Sequence, residues 1–132
     1  MAWNDKQTEK NRCFLQSFRH AVNGLITVFK EERNMKYHLL LGTCAVIMGF
    51  VSHLSLSEWL WLVCAIIIVF MAEVINTAFE GVVDLITDKT YHPIAKKVKD
   101  MTAGMVLISA LFALFVGAVL FLPKVISFFI GS

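Results

Sequence analysis

Three long apolar segments dominate the pattern of the chain, and polar residues separate them. Residues 37–54 are free of Asp, Glu, Lys and Arg, residues 59–86 open with fourteen consecutive apolar side chains, and residues 101–122 carry no charge. A helix that crosses a bilayer needs about 20 mostly apolar residues. The pattern predicts three membrane helices in one all-α domain, with the third helix stopping at Pro123.

The segment before these spans has a different pattern. In residues 13–36, Phe14, Phe18, Val22 and Leu25 recur every three or four positions, and Arg19 lies on the other side. This spacing predicts an amphipathic helix lying in the plane of the membrane interface. The alternative is a soluble helix that packs on another domain.

Turn and packing signals occur between and within the spans. Ser57 is the predicted N-cap of the second span, and Pro93 is placed to open a helical turn before the third. Ser109, Ala113 and Gly117, spaced by four, form a ridge of small residues that allows close helix packing.

The basic residues predict the topology. Of the 12 Lys and Arg residues, seven precede the first span, four lie in the Lys89–Lys99 loop and one follows the third span. The Ser52–Glu58 connection has none. The positive-inside rule therefore places the amino terminus and the Lys89–Lys99 loop in the cytoplasm and the carboxyl terminus outside.

Composition excludes several other classes. The apolar fraction of 58% exceeds the roughly 45–50% of soluble domains. A net charge of +2 without a basic aromatic face argues against nucleic acid as a partner. The three cysteines are too widely spaced for a disulfide framework or a zinc site. We expect no signal peptide, because residues 1–36 lack a short apolar core followed by a cleavage site.

An acidic stripe at the end of the second span is the candidate chemistry. Glu73, Asn76, Glu80 and Asp84 follow one another at offsets of three, four and four. On a helix with about 100° per residue they fall within an arc of about 80°. Ionisable side chains inside a membrane are costly, which favours a function for Glu73 and Glu80. Asn76 is explained equally well as a hydrogen bond between helices.

The predicted topology brings further polar residues to the same cytoplasmic surface. Glu32 precedes the first span, and Lys99 and Asp100 precede the third. Carboxylates suit Mg²⁺ shared with substrate phosphates, a lysine neutralises phosphate charge, and a carboxylate partly removed from water is a stronger proton acceptor. His38 and His53 flank the first span and are interpreted as interfacial. Standard nucleotide-binding motifs are absent from the sequence. The residue pattern alone therefore identifies a small membrane protein with an acidic site and does not indicate its reaction.

Two motifs make the chain resemble a known family. The segments E-V-I-N-T-A-F-E-G-V-V-D (Glu73–Asp84) and Y-H-P-I-A-K-K-V-K-D (Tyr91–Asp100) resemble the small prokaryotic diacylglycerol kinases. The E-E-R-N element (Glu31–Asn34) and the D-L-I-T-D and Y-H-P motifs (residues 84–88 and 91–93) resemble the undecaprenol kinase branch of Gram-positive bacteria. The likeness extends from about Asn11 to Pro123, and the Thr87–His92 segment is one residue longer than the family pattern.

The resemblance implies an activity and an assembly. It implies transfer of the ATP γ-phosphate to the hydroxyl of undecaprenol, with Mg²⁺, at the cytoplasmic face of the plasma membrane. It also implies a homotrimer, each protomer having three membrane helices and a surface helix. Phosphorylation of diacylglycerol to phosphatidic acid is the alternative. A small proton-coupled transporter, suggested by the Glu73–Glu80 pair, is a more remote one, and a non-catalytic membrane scaffold is a third.

The resemblance also implies residue roles. Glu73 matches the catalytic base, Asn76 a group that positions the reactants, and Glu32 and Glu80 the carboxylates that hold the metal with the ATP phosphates. The implied nucleotide-binding residues further include Arg12 (with Arg19 as its alternative), His20, Asp84, Thr90, Tyr91, His92, Lys99 and Asp100. Part of the lipid site would come from the surface helix and from residues near Glu73.

Overall fold

The computed structural model describes residues 14–131, which form four helices: α1 (Phe14–Glu31), α2 (Arg33–Val51), α3 (Leu56–Thr87) and α4 (Pro93–Ile130). Helices α2, α3 and α4 are each long and apolar enough to cross a membrane. The predicted class, an all-α membrane protein with three candidate spans, is therefore confirmed. The predicted start of the first helix at Cys13 lies outside the described residues.

Helices α3 and α4 form the main antiparallel pair. At one end of the pair Lys99 Nζ lies 2.5 Å from Asp84 Oδ1, and at the other Lys124 Nζ lies 3.3 Å from Glu58 Oε1. A packed core of buried apolar side chains lies toward this second end: Leu54, Leu62, Ala65, Val116, Leu120 and Phe121. The acidic end of α3 is thus held at the opposite end of the molecule from the core.

Helix α2 packs on this pair through a close approach at its carboxyl end. A Cβ atom at Gly49 would lie 2.7 Å from Trp59 Cη2, so only glycine leaves room for the indole. The Phe50 and Trp59 rings also contact each other at a tilt of 55°, with centroids 4.8 Å apart. This contact fixes the Ser52–Glu58 connection and the start of α3.

Helix α1 is separate from α2, whereas one helix was expected over residues 13–36. Glu32 adopts an extended conformation (φ −87°, ψ 120°) and is the N-cap of α2. Helix α1 then packs back toward α3, where the Phe29 and Phe70 rings meet edge to face at 5.6 Å. Residues 33–36 therefore belong to the first membrane helix, because the chain changes direction at Glu32.

The N-cap of α3 is Ser55 rather than the predicted Ser57. The Ser55 side chain accepts from the Glu58 backbone N–H, and the Glu58 carboxylate accepts from the Ser55 backbone N–H at 2.8 Å. This reciprocal capping box requires a carboxylate three residues after the cap, a partner that Ser57 lacks.

The predicted stop at Pro123 is also wrong for the helix, since α4 continues through Pro123 to Ile130. Proline removes one backbone hydrogen bond inside a helix. Ending the helix among the apolar residues 125–130 would expose many more backbone groups to an apolar surrounding. Continuing the helix through Pro123 costs less free energy than ending it there, which explains why proline does not terminate α4.

Candidate active site

The polar stripe lies along one face of α3, as its spacing predicted. Glu73 and Asn76 are buried, with 1% and 6% of their surface exposed, and Glu80 and Asp84 are half-buried. Eleven residues separate the first from the last, which corresponds to about 16 Å along a helix. The stripe therefore runs from the apolar part of α3 to its polar end.

Glu73 is buried without hydrogen-bond donors. Among the described residues, neither carboxylate oxygen of Glu73 has a hydrogen-bond partner, and the same holds for Asn76 Oδ1 and Thr77 Oγ1. Buried polar atoms are nearly always paired, and an unpaired one costs about 1–3 kcal/mol. Four such atoms within five residues mark this turn of α3 as a place for a polar ligand.

The nearest basic group to Glu73 comes from α2. His38 Nε2 lies 3.9 Å from Glu73 Oε2, and the histidine side chain is 19% exposed. This distance is too long for a hydrogen bond but short enough for an electrostatic contact. Glu32 and Asn34, from the α1–α2 joint, are the other polar side chains of that joint within electrostatic range of Glu73, and neither forms a hydrogen bond to its carboxylate.

His38 was interpreted from the sequence as interfacial, and the structure instead places it beside the candidate base. The one feature of the sequence that pointed to His38 was the presence of an ionisable residue near the start of an otherwise apolar segment. That signal does not say which face of α2 the side chain occupies, so its contact with Glu73 required the packing of α2 on α3.

A second cluster surrounds the polar ends of α3 and α4. Asp84 and Lys99 form its ion pair, with 35% and 38% of their side chains exposed, and Lys96 pairs with Asp100. A cavity of about 360 Å³ opens here. Its lining includes six residues predicted for the nucleotide side: Asp84, Thr90, Tyr91, His92, Lys99 and Asp100.

The loop between the helices shapes this cavity. Asp88 and Lys89 both have left-handed backbone conformations (φ 49° and 58°), and Thr90 Oγ1 donates to the Thr87 carbonyl. His92 then caps α4, its Nδ1 accepting from the Ile94 N–H at 3.2 Å. Pro93 opens the helix as predicted, and the longer loop still brings residues 90–92 to the cavity.

Glu80 connects the two clusters. Asn76 Nδ2 donates to Glu80 Oε1 at 3.3 Å, and the Lys99 ammonium interacts electrostatically with Glu80 as well as with Asp84. Glu80 thus lies between the buried carboxylate of Glu73 and the charged cavity. A ligand that extends from the cavity to Glu73 would contact it.

Two predicted residues remain outside this assembly. His20 is exposed on α1 and is not a lining residue of the charged cavity. Arg12 lies outside the described residues, and its alternative, Arg19, is likewise exposed on α1. The structure therefore brings together the predicted residues of α3, the loop and α4, but not those of α1.

Comparison with known families identifies a match over most of the chain. The family described as prokaryotic diacylglycerol kinase matches residues 19–121. This range contains α2, α3 and both polar clusters.

Individual relatives support the same match. The chain is 42% identical to an undecaprenol kinase of Bacillus subtilis (strain 168) over 91% of this chain and 96% of that protein. It is 37% identical to a diacylglycerol kinase of Synechocystis over 86% of this chain and 65% of that protein. A diacylglycerol kinase of Helicobacter pylori (strain J99) is 28% identical, covering 84% of this chain and 88% of that protein.

Proposed function

Because the chain belongs to the prokaryotic diacylglycerol kinase family, and is thus a membrane lipid kinase, we propose that its lipid substrate is undecaprenol. The reaction would move the γ-phosphate of ATP to the lipid hydroxyl, giving undecaprenyl phosphate. The 42% identity to an undecaprenol kinase over nearly the full length of both proteins supports this substrate. Diacylglycerol is the second candidate, favoured by the relative at 37% identity.

One observation carries the assignment of chemistry to α3. Glu73 is almost fully buried in an apolar helix, yet its two carboxylate oxygens have no donor among the described residues. A lipid hydroxyl is a donor that reaches this depth, because the rest of the molecule is apolar. We assign Glu73 as the general base that receives the hydroxyl proton.

The remaining roles follow the order of groups along α3. Asn76 holds Glu80 through its amide and leaves Oδ1 free to orient the reactants. The Asp84–Lys99 cavity would bind ATP, with Lys99 neutralising phosphate charge and Thr90, Tyr91, His92 and Asp100 as further contacts. Arg12 and His20 remain proposed nucleotide contacts from the amino-terminal segment.

Glu32 and Glu80 fit a magnesium ion by the chemistry of their donors. Glu32 makes no side-chain capping bond to α2, and Glu80 has one hydrogen bond, so both retain free carboxylate oxygens. Mg²⁺ is usually held by one or two carboxylates together with substrate phosphates. The described residues contain no cluster of three or more His, Cys, Asp or Glu. When bound, Mg²⁺ would neutralise charge on the β- and γ-phosphates.

The proposed step uses this geometry directly. Glu73 takes the proton of the lipid hydroxyl, the hydroxyl oxygen forms a bond to the γ-phosphorus, and the bond to the β-phosphate oxygen breaks to release ADP. Lys99 and the loop residues hold the phosphates during transfer. Positioning and charge neutralisation are the main contributions that phosphoryl transfer requires of a protein.

The proposed setting is the plasma membrane, with the active site on the cytoplasmic side. In the sequence, eleven of the 12 basic residues precede the first span or lie in the Lys89–Lys99 loop, and the positive-inside rule assigns these segments to the cytoplasm. Helix α1 would lie at the interface with its exposed Phe14, Phe18 and Leu25 toward lipid. A homotrimer is proposed because three membrane helices alone shield a charged cluster poorly.

The deciding assay offers both lipids to the purified protein. Labelled ATP and Mg²⁺ are supplied with mixed micelles containing either undecaprenol or diacylglycerol. Labelled undecaprenyl phosphate at the higher rate supports the proposal. Faster labelling of diacylglycerol would reverse the substrate assignment, and absence of labelled lipid in both would contradict the lipid kinase activity.

A further inference from the structure

An apolar cavity lies between α2, α3 and α4, on the membrane side of the Glu73 turn. It encloses about 260 Å³ and is lined by thirteen residues, of which His38 is the one polar member. Much of its wall consists of small side chains: Gly42, Ala45, Ala65, Ala110, Ala113 and Gly117. The small-residue ridge predicted to pack helices thus borders open space at Ala113 and Gly117.

The position of His38 joins this cavity to the candidate active site. The same imidazole that lines the cavity places Nε2 3.9 Å from Glu73 Oε2. The cavity follows α3 from Phe70, one turn from Glu73, to Leu62. Eight residues correspond to about 12 Å of helix. The cavity is therefore an elongated apolar space with one polar lining residue, His38, whose imidazole lies beside the candidate base.

The dimensions and polarity of the cavity suit a single kind of occupant. An apolar cavity of about 150 Å³ is large enough to bind benzene and excludes water. A volume of about 260 Å³ is by the same measure suited to roughly ten carbon atoms, or two isoprene units. An amphiphile with a hydroxyl at one end of a hydrocarbon chain matches both the apolar wall and the polar end.

We propose that this cavity binds the hydroxyl-proximal part of the substrate's hydrocarbon chain and so directs the hydroxyl to Glu73. The proposal rests on the lipid kinase function and adds the subsite that receives the chain. A chain that enters from the bilayer leaves surroundings as apolar as the cavity, so binding gains little from the hydrophobic effect. The gain comes instead from dispersion contacts with the wall and from orientation of the hydroxyl.

The site also differs from the apolar groove between α1, α2 and α3. That groove is lined by apolar residues alone, among them Leu25, Phe29, Met71 and Ile75, and lacks a polar end. Nothing in it would orient a hydroxyl. Occupation of the groove instead of the cavity is therefore a distinct outcome that an experiment can detect.

Two glycines of α4 provide matched variants. A Cβ atom at Gly117 or at Gly104 meets no atom within 4 Å, and Gly117 lines the cavity whereas Gly104 does not. Gly117→Leu should raise the mole-fraction KM for undecaprenol about five- to tenfold through lost wall contacts, with the KM for ATP unchanged. Gly104→Leu should leave both constants unchanged.

Equal KM values for undecaprenol in the Gly117→Leu, Gly104→Leu and wild-type proteins would overturn the proposal. A changed oligomeric mass of Gly117→Leu, measured by native mass spectrometry, would overturn it too, since the cavity would then receive a second copy of the chain. If the wild-type protein phosphorylates no lipid alcohol, the proposed function fails, an outcome separate from either of these.

A second measurement uses the wild-type protein and does not depend on the folding of a variant. A polyprenol analogue with a diazirine roughly ten carbon atoms from its hydroxyl is photolysed in micelles with the protein. Adducts at Leu62, Ala113 or Gly117 that undecaprenol displaces are expected. Displaceable adducts confined to Phe29, Met71 or Ile75, or adducts that undecaprenol does not displace, would overturn the proposal.

Discussion

The buried carboxylate of Glu73 is unfavourable for the folding free energy of the chain. Glu73 is 1% exposed and has no hydrogen-bond donor among the described residues, within a helix that is apolar for fourteen residues before it. Replacing such a residue by an apolar one would remove the free-energy cost of burying an unpaired polar group. The placement is consistent with a site whose polar partner arrives with the substrate.

The first prediction concerns Glu73 as proton acceptor. Glu73→Gln keeps the size and polarity of the side chain but removes its basicity. We expect kcat for lipid phosphorylation to fall about 10²- to 10⁴-fold, the usual contribution of a general base. Binding of a non-hydrolysable ATP analogue, measured by equilibrium dialysis, should stay within about twofold because Glu73 lies about 16 Å along α3 from Asp84.

Glu80→Gln is the matched comparison for Glu73→Gln. It makes the same chemical change two turns further along α3, next to Asn76 and Lys99. This variant should weaken Mg²⁺-dependent binding of the ATP analogue. Identical nucleotide binding by the two variants would show that the division of roles between Glu73 and Glu80 is wrong.

The second prediction concerns His38 as a residue that positions Glu73. His38→Ala removes the nearest basic group and should lower kcat about tenfold through misalignment of the carboxylate, leaving the KM for ATP unchanged. His38→Gln retains a side-chain N–H donor and should restore most of the rate. If His38→Ala and His38→Gln lose activity equally, or if the KM for ATP rises, the positioning role is contradicted.

Among the helices, α3 shows how one element serves both membrane and site. Its 32 residues correspond to about 48 Å, whereas the hydrocarbon core of a bilayer is about 30 Å thick. A helix of this length crosses the membrane and still projects several turns beyond it. The charged cavity around Asp84 can therefore lie in water while Glu73 remains at the depth of a lipid hydroxyl.

The third prediction tests the start of α3. Ser55→Ala removes the side-chain hydrogen bond of the capping box and leaves the backbone N–H of residue 55 as a donor to Glu58. It should lower stability by about 1 kcal/mol, or roughly 3–6 °C in Tm. Ser57→Ala removes a 3.4 Å hydroxyl contact with Ser55 Oγ but no hydrogen bond to the helix backbone, and should shift Tm by less than about 1 °C. The measurement is thermal unfolding in detergent followed by circular dichroism. A larger effect at Ser57 would contradict the observed cap.

For the molecule as a whole, the opposite ends of the α3–α4 pair differ sharply in character. The packed core and the capped start of α3 lie at one end, and the basic loop with the charged cavity lies at the other. Exposed apolar side chains along the spans do not distinguish a lipid-facing surface from a subunit contact, because both surroundings are apolar. The proposed trimer is therefore supported by the shielding of the charged cluster and not by an exposed apolar patch.

The fourth prediction tests orientation in the membrane. In a background without Cys13, Cys44 and Cys64, Ser57→Cys should react with a membrane-impermeant maleimide in intact cells. Lys97→Cys should react only after permeabilisation, because the positive-inside rule keeps its loop in the cytoplasm. Both positions are exposed in the structure, so access depends on the membrane alone. The reverse labelling pattern would contradict the proposed topology.

Much of this architecture was predictable from local sequence because it depends on local periodicity. Apolar segment length indicates the three spans, and a repeat of three and four residues puts Glu73, Asn76, Glu80 and Asp84 on one face. Two local details could be determined only from the structure. The cap at Ser55 depends on a reciprocal bond to Glu58, and the passage of α4 through Pro123 depends on its apolar surroundings.

Contacts between helices could not be predicted in this way. His38 meets Glu73 across thirty-five positions of sequence, and the cavity beside them exists only because α2, α3 and α4 pack at particular rotations. The hydropathy pattern predicts how a helix is rotated about its own axis when one of its faces is polar. Helix α3 is apolar on all sides before Glu73, so its pattern does not predict this rotation. Its sequence therefore indicates that a buried carboxylate exists, and packing determines which groups and which space surround it.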